Sequence, residues 1–487
     1  MRKGSITVFF SLVLTMLCSL FFSMSETIRI LGMDNRSSVI TREALGSVCS
    51  EYQPYLWETY RILALDSAYG QEYWTTSLVE NRMDQFCCNN CEGEGGLFQI
   101  EPVRCQLLEY DLLTDGNGAA FIRQAANTAK KQMSQEAIED WRRKAESVVS
   151  DGNQALAVES QVDSAKEALN NIQRETASRE AAVAPSEEQS PPIVFDNPFT
   201  IFQLIKEKGW LGLVTEEIEF SDKTMAVDFV VSKRQLQRGT KDADFTREDN
   251  VLNRWLYQWY LLHQFGHYGQ DTKESGLAYQ VEYIIAGKST DRENLESVAG
   301  NLLAMRQIKN VLTITTNPGM LQQTYQVALS LAGASANPAL VQVVQTGVVS
   351  IWALVESILD VRTLLAGGKV AFIKTAQQWT SQLYSLAAYM APSVKATETE
   401  SGITYEQYLA AQLFLLDDKS LGLRPLDLIE ADLRRQEGYT NVRMDRMICS
   451  MEVVCTYQSY PLFLSVMGTE SFKGVWYSNT CREEISY

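Results

Sequence analysis

The chain of 487 residues contains two histidines, four apart in the stretch WLYQWYLLHQFGHYG. On a helix, His263 and His267 would share a face and could both reach one zinc ion. A zinc hydrolase of that type needs a glutamate after the first histidine as general base, and Gln264 stands there instead. An amide cannot take the proton from a metal-bound water. Gly266 weakens a helix at that point, and no third ligand is marked. The pair is a metal candidate weighed against a plain helix end rich in aromatics, whose rings serve either a core or an exposed sticky surface. The stretch AGGKV at 366–370 lacks the spacing of a phosphate-binding loop, so Gly367 and Gly368 read as a helix end turning into a strand. No G-x-S-x-G elbow occurs, and acidic pairs such as Glu216–Glu217 mark nothing in so acidic a chain.

Cysteines offer the other chemistry. Of nine, Cys18 lies in the apolar N-terminal run; the remaining eight include Cys49 and the run Cys87, Cys88, Cys91 and Cys105, then Cys449, Cys455 and Cys481. A four-thiolate zinc knot would want two CxxC pairs, and only Cys88 and Cys91 supply one. Clustered, even-numbered cysteines fit disulfides in an oxidising exterior, with buried free thiols as the competing reading. The disulfide candidates are Cys87, Cys88, Cys91, Cys105, Cys449, Cys455 and Cys481, and four cysteines alone allow three pairings. One pairing is excluded. Met447 to Tyr457 alternates as a strand, so Cys449 and Cys455 point the same way but stand about 20 Å apart at roughly 3.3 Å per residue. A disulfide needs alpha carbons within about 7 Å.

The rest of the chain must carry these groups. Hydrophobic residues are 45% and charged residues 21%, a globular composition, and the net charge of −17 disfavours nucleic acid as a partner. No cofactor is implied. From Ile6 to Met24 no charge occurs, which is long enough to cross a bilayer as helix. Arg2 and Lys3 precede the run and Glu26 follows it, so the N-terminus is expected in the cytoplasm and the remaining mass outside the cell membrane. No second run of that length is evident, which implies a single pass. The run ends without a clear small-x-small site, and Leu45, Cys49, Tyr52, Leu56, Tyr60 and Leu63 continue at helical steps. The anchor is therefore expected to extend as a stalk helix, interrupted near Gly32, bent at Pro54 and capped by Gly70.

The fold class expected is α+β: an N-terminal transmembrane helix, a long stalk, and a helix-rich extracytoplasmic domain with a small antiparallel sheet. Residues 1–24 are the cytoplasmic tip and anchor, 25–70 the stalk, 71–118 a cysteine-rich loop region, 119–182 a charged helical insertion, 183–198 a proline-rich linker and 199–487 the main domain. Alternation predicts strands at 225–231, 277–285 and 447–457. A capping box from Thr290 to Glu293 opens a helix with Leu295, Val298, Leu302, Met305, Ile308 and Leu312 on one face. Further helices are expected at 319–333, 338–365, 375–391 and 403–416.

Basic residues, Gly4, Ser5 and then an apolar helix resemble the leader of class III and TadE-like prepilins. That resemblance implies cleavage after Gly4 by a prepilin peptidase, with Ser5 as mature residue one and the helix kept as the assembly stem; the competing reading is that the same residues are the plain flank of an uncleaved anchor. The departure is Phe9, where most pilins carry a glutamate that registers neighbouring subunits, as in tip-type minor pseudopilins that lack it. The stretches KGSITVFFSL, LAYQVEYIIAGKSTDRENLESVAGNLLAMR, LLAGGKVAFIKT, ITYEQYLAAQLFLL and LRPLDLIEADLR resemble a domain-of-unknown-function family of anchored proteins of clostridial-type bacteria. Its members tend to be encoded beside Tad-type pilus machinery. The resemblance implies a non-enzymatic, pseudopilin-like or accessory protein whose partners are the lipid bilayer, pilus or secretion-apparatus proteins and a prepilin peptidase. A cell-surface binding module, adhesin or receptor, is the alternative, and a zinc-dependent hydrolase at the HQFGH pair the third.

Overall fold

The computed structural model describes residues 3–91, 97–149, 195–215, 219–241, 251–270, 276–333, 337–465 and 476–487. The linker 183–198, up to residue 194, and the part of the charged insertion after residue 149 lie outside them. The chain forms two compact units, the first from residues within 1–125, 231–248 and 426–487, the second from 126–230 and 249–425. The end of the expected main domain of 199–487 falls in the first unit, because the strand at 447–459 pairs with N-terminal strands and the strand at 477–486 pairs with it.

In the first unit, α1 runs unbroken from Lys3 to Cys49, 47 residues. Up to Met24 nearly all its apolar side chains, Phe9, Leu12, Leu17 and Phe21 among them, are exposed, and the helix is long and apolar enough to cross a membrane. From Glu26 one stripe turns inward: Glu26, Arg29, Met33, Ile40, Ala44 and Val48 are buried at helical spacing. The expected break near Gly32 does not occur. The glycine instead lets the Phe98 ring lie against the helix, in space that a Cβ would fill. The stalk also ends earlier than expected. Pro54 stands just beyond the helix, before a π-helical turn at Leu56–Tyr60 closed by Arg61 in the left-handed region.

Strands β1 (Leu65–Asp66), β2 (Glu101–Leu112), β3 (Met447–Ser459) and β4 (Tyr477–Ser486) form one antiparallel sheet. β3 is central, paired with β2 and β4 along its length and with β1 at its start. Met451, Val453, Cys455 and Tyr457 alternate inward as the sequence predicts. Helix α2 (Ser77–Cys91) packs over α1 and β2. It corrects the expected loop at CCNNC: Val79, Met83 and Cys87 recur at four-residue steps and are buried, while Cys88 and Asn89 are exposed. The polar residues that suggested a loop are the helix's outer face. The start of α3 (Asp115–Gln132) completes this part of the chain.

The second unit is helical: α4 (Gln135–Val149), α5 (Pro198–Lys208), α6 (Trp210–Thr215), α7 (Val251–Gln264), α8 (Gln280–Ala286), α9 (Asp291–Thr316), α10 (Pro318–Ala332), α11 (Pro338–Leu365), α12 (Tyr405–Leu415) and the start of α13 (Asp418–Arg435). Asn197, Asn317 and Asn337 cap α5, α10 and α11 ahead of a proline, and Thr404 with Gln407 forms a complete capping box on α12. α11 is the centre, buried at every residue from Gly347 to Leu365. It is uncharged from Pro338 to Val355 and, like α1, is long and apolar enough to cross a membrane, correcting the expectation of a single apolar run. Unlike the start of α1, most of that stretch is buried inside its unit.

Three other expectations fail for physical reasons. The strand at 277–285 is largely α8, whose residues from Gln280 to Ile285 are all buried, so no helical period is visible in it. The strand at 225–231 is irregular chain with one bridge at Thr224, and Phe229 is 84% exposed where alternation requires it buried. The helix at 375–391 is turns followed by a 3₁₀ segment, Leu383–Met390. Side chains of α11 take up its backbone groups: Glu356 accepts from the amides of Thr380 and Ser381, and Arg362 donates to the carbonyls of Tyr389, Met390 and Ala391.

Candidate functional site

The junction where α1 passes from exposed to buried is built from two charges. Glu26 accepts from the backbone amides of Leu462 at 3.1 Å, Phe463 at 2.6 Å and Leu464 at 3.4 Å. Arg29 pairs with Glu26 at 3.3 Å and donates to the Phe98 carbonyl, the Ser459 hydroxyl and the Tyr460 carbonyl. Both side chains are buried. One turn of α1 thereby holds the chain before β2 and the chain after β3, and carries the helix into the sheet without a hinge. Further hydrogen bonds to each ion offset the cost of burying the pair, although Arg29 Nε, 3.3 Å from Glu26, has no hydrogen-bond partner of its own among the described residues.

Farther along the same face lie the sulfurs. Cys105 on β2 and Cys455 on β3 are register partners joined by a disulfide. The sulfur of Cys87, from α2, stands 3.5 Å from that of Cys105 and 4.0 Å from that of Cys455. On the far side of β3, Cys481 of β4 is the register partner of Cys455 and is also buried. Three strands thus present a row of three cysteines, and α2 places a fourth beside the first two. Burial pushes the Cys87 thiol up to about 11, opposed by a hydrogen bond from Tyr457. The Tyr457 hydroxyl lies 3.3 Å from Cys87 Sγ and 2.9 Å from Thr41 Oγ1 of α1. Once the disulfide is reduced, Cys87, Cys105 and Cys455 would offer three thiolates within 4.8 Å of one another, a donor set for a soft ion such as zinc or monovalent copper.

The remaining sequence candidates are dispersed. Cys88 is exposed and Cys91 half-buried at the end of α2. Cys449 is a buried thiol whose sulfur contacts the Asp111 carbonyl at 3.3 Å, and burial raises it to about 12. Cys49, also buried, is raised to about 11. His263 and His267 do not share a helix face, because α7 ends at Gln264. The His263 ring is exposed and stacks on Trp259 at 3.9 Å, whereas His267 is buried. Trp255, Tyr257 and Tyr260 are core residues, with Trp255 stacked on Phe414 at 4.5 Å. Gly367 does end α11 with a positive φ, and Val370 makes one bridge to Ile403. Gly4 and Ser5 lie in the first turns of α1.

Sequence reasoning missed two buried polar sets in the second unit. Arg306 of α9 donates to Asp360 of α11 at 2.9 Å and to the Tyr408 hydroxyl, while Lys374 pairs with both Asp360 and Glu356. The signal was present as Glu356 and Asp360, one turn apart inside an apolar run. Glu282 of α8 accepts from the Tyr405 hydroxyl at 2.8 Å and the Tyr268 amide at 3.0 Å, and burial raises its carboxyl above the ordinary range. These sets fix helices to one another and to the loops between them.

A family model described as a family of unknown function (DUF5702) matches residues 187–459. No curated protein and no solved structure matches the chain. The matched residues include Cys449 and Cys455 and exclude α1, α2 and β2.

Proposed function

The chain belongs to this family of unknown function, DUF5702, and from that premise we propose that it is a membrane-anchored envelope protein, a minor pseudopilin-like or accessory component of a Tad-type pilus or secretion apparatus. Its N-terminus lies in the cytoplasm behind Arg2 and Lys3, its folded residues lie outside, and it performs no reaction of its own. The observation that carries this reading is α1: one helix of 47 residues, apolar and exposed at its start, latched by Glu26 and Arg29 into the sheet thereafter. An assembly stem must transmit position between the membrane and the fold it carries, and an unhinged helix with a buried second half does so. Gly4 and Ser5 supply the leader-type junction, and Phe9 in place of a registering glutamate suits a tip or accessory role over a repeating fibre subunit. Crosslinking in intact cells, followed by capture of the tagged full chain, is expected to recover a prepilin peptidase or pilus platform protein. Capture of neither, with pilus assembly unchanged on deletion, would refute it.

A cell-surface binding module is the second reading, favoured by one observation. Leu321, Tyr325 and Leu329 lie four apart on α10 and are exposed. Loss of adherence with intact pilus assembly would decide for it.

A further inference from the structure

Four cysteines of the first unit are within reach of one another in a restricted way. Cys87 neighbours Cys105 and Cys455, and Cys455 in turn neighbours Cys481 across the β3–β4 pair. Directly paired antiparallel residues hold their alpha carbons at about 4.5–5.5 Å, which overlaps the span disulfides accept. The Cys105–Cys455 bond of this structure leaves Cys87 and Cys481 as thiols on opposite sides of it. Among these neighbour relations, one pairing uses all four sulfurs: Cys87 with Cys105, and Cys455 with Cys481.

We propose that Cys87 is an exchange nucleophile and that the fully oxidised chain carries the disulfides Cys87–Cys105 and Cys455–Cys481, reached from Cys105–Cys455. In the first step the Cys87 thiolate attacks Cys105 Sγ, the nearer sulfur. The Cys87–Cys105 bond forms, the Cys105–Cys455 bond breaks, and Cys455 leaves as a thiolate that takes the proton Cys87 gave up. No electrons are gained or lost. In the second step a low-molecular-weight or protein disulfide accepts the two electrons and two protons of Cys455 and Cys481, forming their bond and two thiols of its own.

Two features of the site shape the rate. Cys87 Sγ is at similar distances from both sulfurs, broadside to the bond, so α2 must shift slightly before an in-line attack. The groups facing it are Asp84 and Cys88 on its own helix, Tyr457 on β3 and Cys481 on β4, and of these the Tyr457 hydrogen bond stabilises the thiolate. The exchange is accordingly slow and base-promoted. Its consequence is structural: the cross-link leaves the β2–β3 pair and instead ties α2 to β2 and β3 to β4.

The test is disulfide mapping of the detergent-extracted full chain after oxidation with glutathione disulfide, acid quenching, alkylation and mass spectrometry of the digest. The expected result is linked peptides for Cys87–Cys105 and Cys455–Cys481, with neither Cys87 nor Cys481 alkylated. Persistence of Cys105–Cys455 with both Cys87 and Cys481 alkylated overturns the proposal. A Cys455→Ala chain provides a second reading. There Cys87–Cys105 should form alone with Cys481 alkylated, and alkylation of both Cys87 and Cys105 again overturns it.

Discussion

Replacing Glu26 by alanine should loosen the joint between α1 and the sheet. The carboxylate accepts three backbone amides and pairs with Arg29, whose side chain is fully buried. Removing one member of a buried ion pair costs about 3–5 kcal/mol. Two facts set the expected loss at the low end. Arg29 keeps the Phe98 and Tyr460 carbonyls and the Ser459 hydroxyl as acceptors, and the freed amides at 462–464 are only half-buried, so water can reach them. For a unit of this size, about 3 kcal/mol corresponds to a fall in Tm of roughly 6–12 °C. Differential scanning calorimetry of the detergent-extracted chain should show that shift in one transition, with earlier proteolysis in the 460–465 turn. Glu26→Gln, which keeps a neutral acceptor, should lose about half as much, since charge-assisted hydrogen bonds are roughly twice as strong as neutral ones. Glu26→Leu with Arg29→Met should recover most of the loss by removing both charges. An unchanged Tm and unchanged proteolysis in Glu26→Ala would refute the latch.

Asp360→Ala should remove the carboxylate that Arg306 and Lys374 share in the core of the second unit and destabilise it by about 3 kcal/mol, the low end for a broken buried pair because Lys374 keeps Glu356 and Arg306 keeps the Tyr408 hydroxyl, read as a lowered denaturation midpoint. Glu282→Gln should stabilise the same unit at neutral pH. Burial raises the Glu282 carboxyl, so its unfavourable contribution is absent below the unfolded glutamate range of about 4.3 and grows as pH rises through the folded value. The gain from Glu282→Gln, followed by urea unfolding, should therefore vanish as pH falls below that range. A gain independent of pH would contradict this. In the native chain at pH 8, maleimide should label exposed Cys88 well before Cys49 and Cys449, raised to about 11 and about 12 by burial. Labelling of the buried pair should quicken about tenfold per pH unit, and equal rates for all three would contradict the burial.

What could be read from residues alone follows physical lines. α11 was visible end to end because Asn337-Pro338 opens it and Gly367 follows it, with a long apolar run between. β3 was visible because its inner and outer residues alternate. α8 was misread because it is buried on all sides and erases its own period. The second half of α9 misled in a related way: Arg306 and Asn310 face the core while Leu312 is 42% exposed, since the neighbouring α11 carries acids. β2 went unseen because its alternation is short: Tyr110, Asp111 and Leu112 are all buried, and three register shifts interrupt its pairing with β3. The cysteines themselves were evident, but not which of them meet. Cys105 and Cys455 are 350 residues apart, and only the register of β2 against β3 joins them.

If α1 is handled as an assembly stem, its leader is removed and the helix is kept. Intact-mass measurement of the native protein, with N-terminal sequencing, tests it most directly. The expected result is a mature chain beginning at Ser5 with α1 otherwise whole, and a chain still beginning at Met1 refutes that handling.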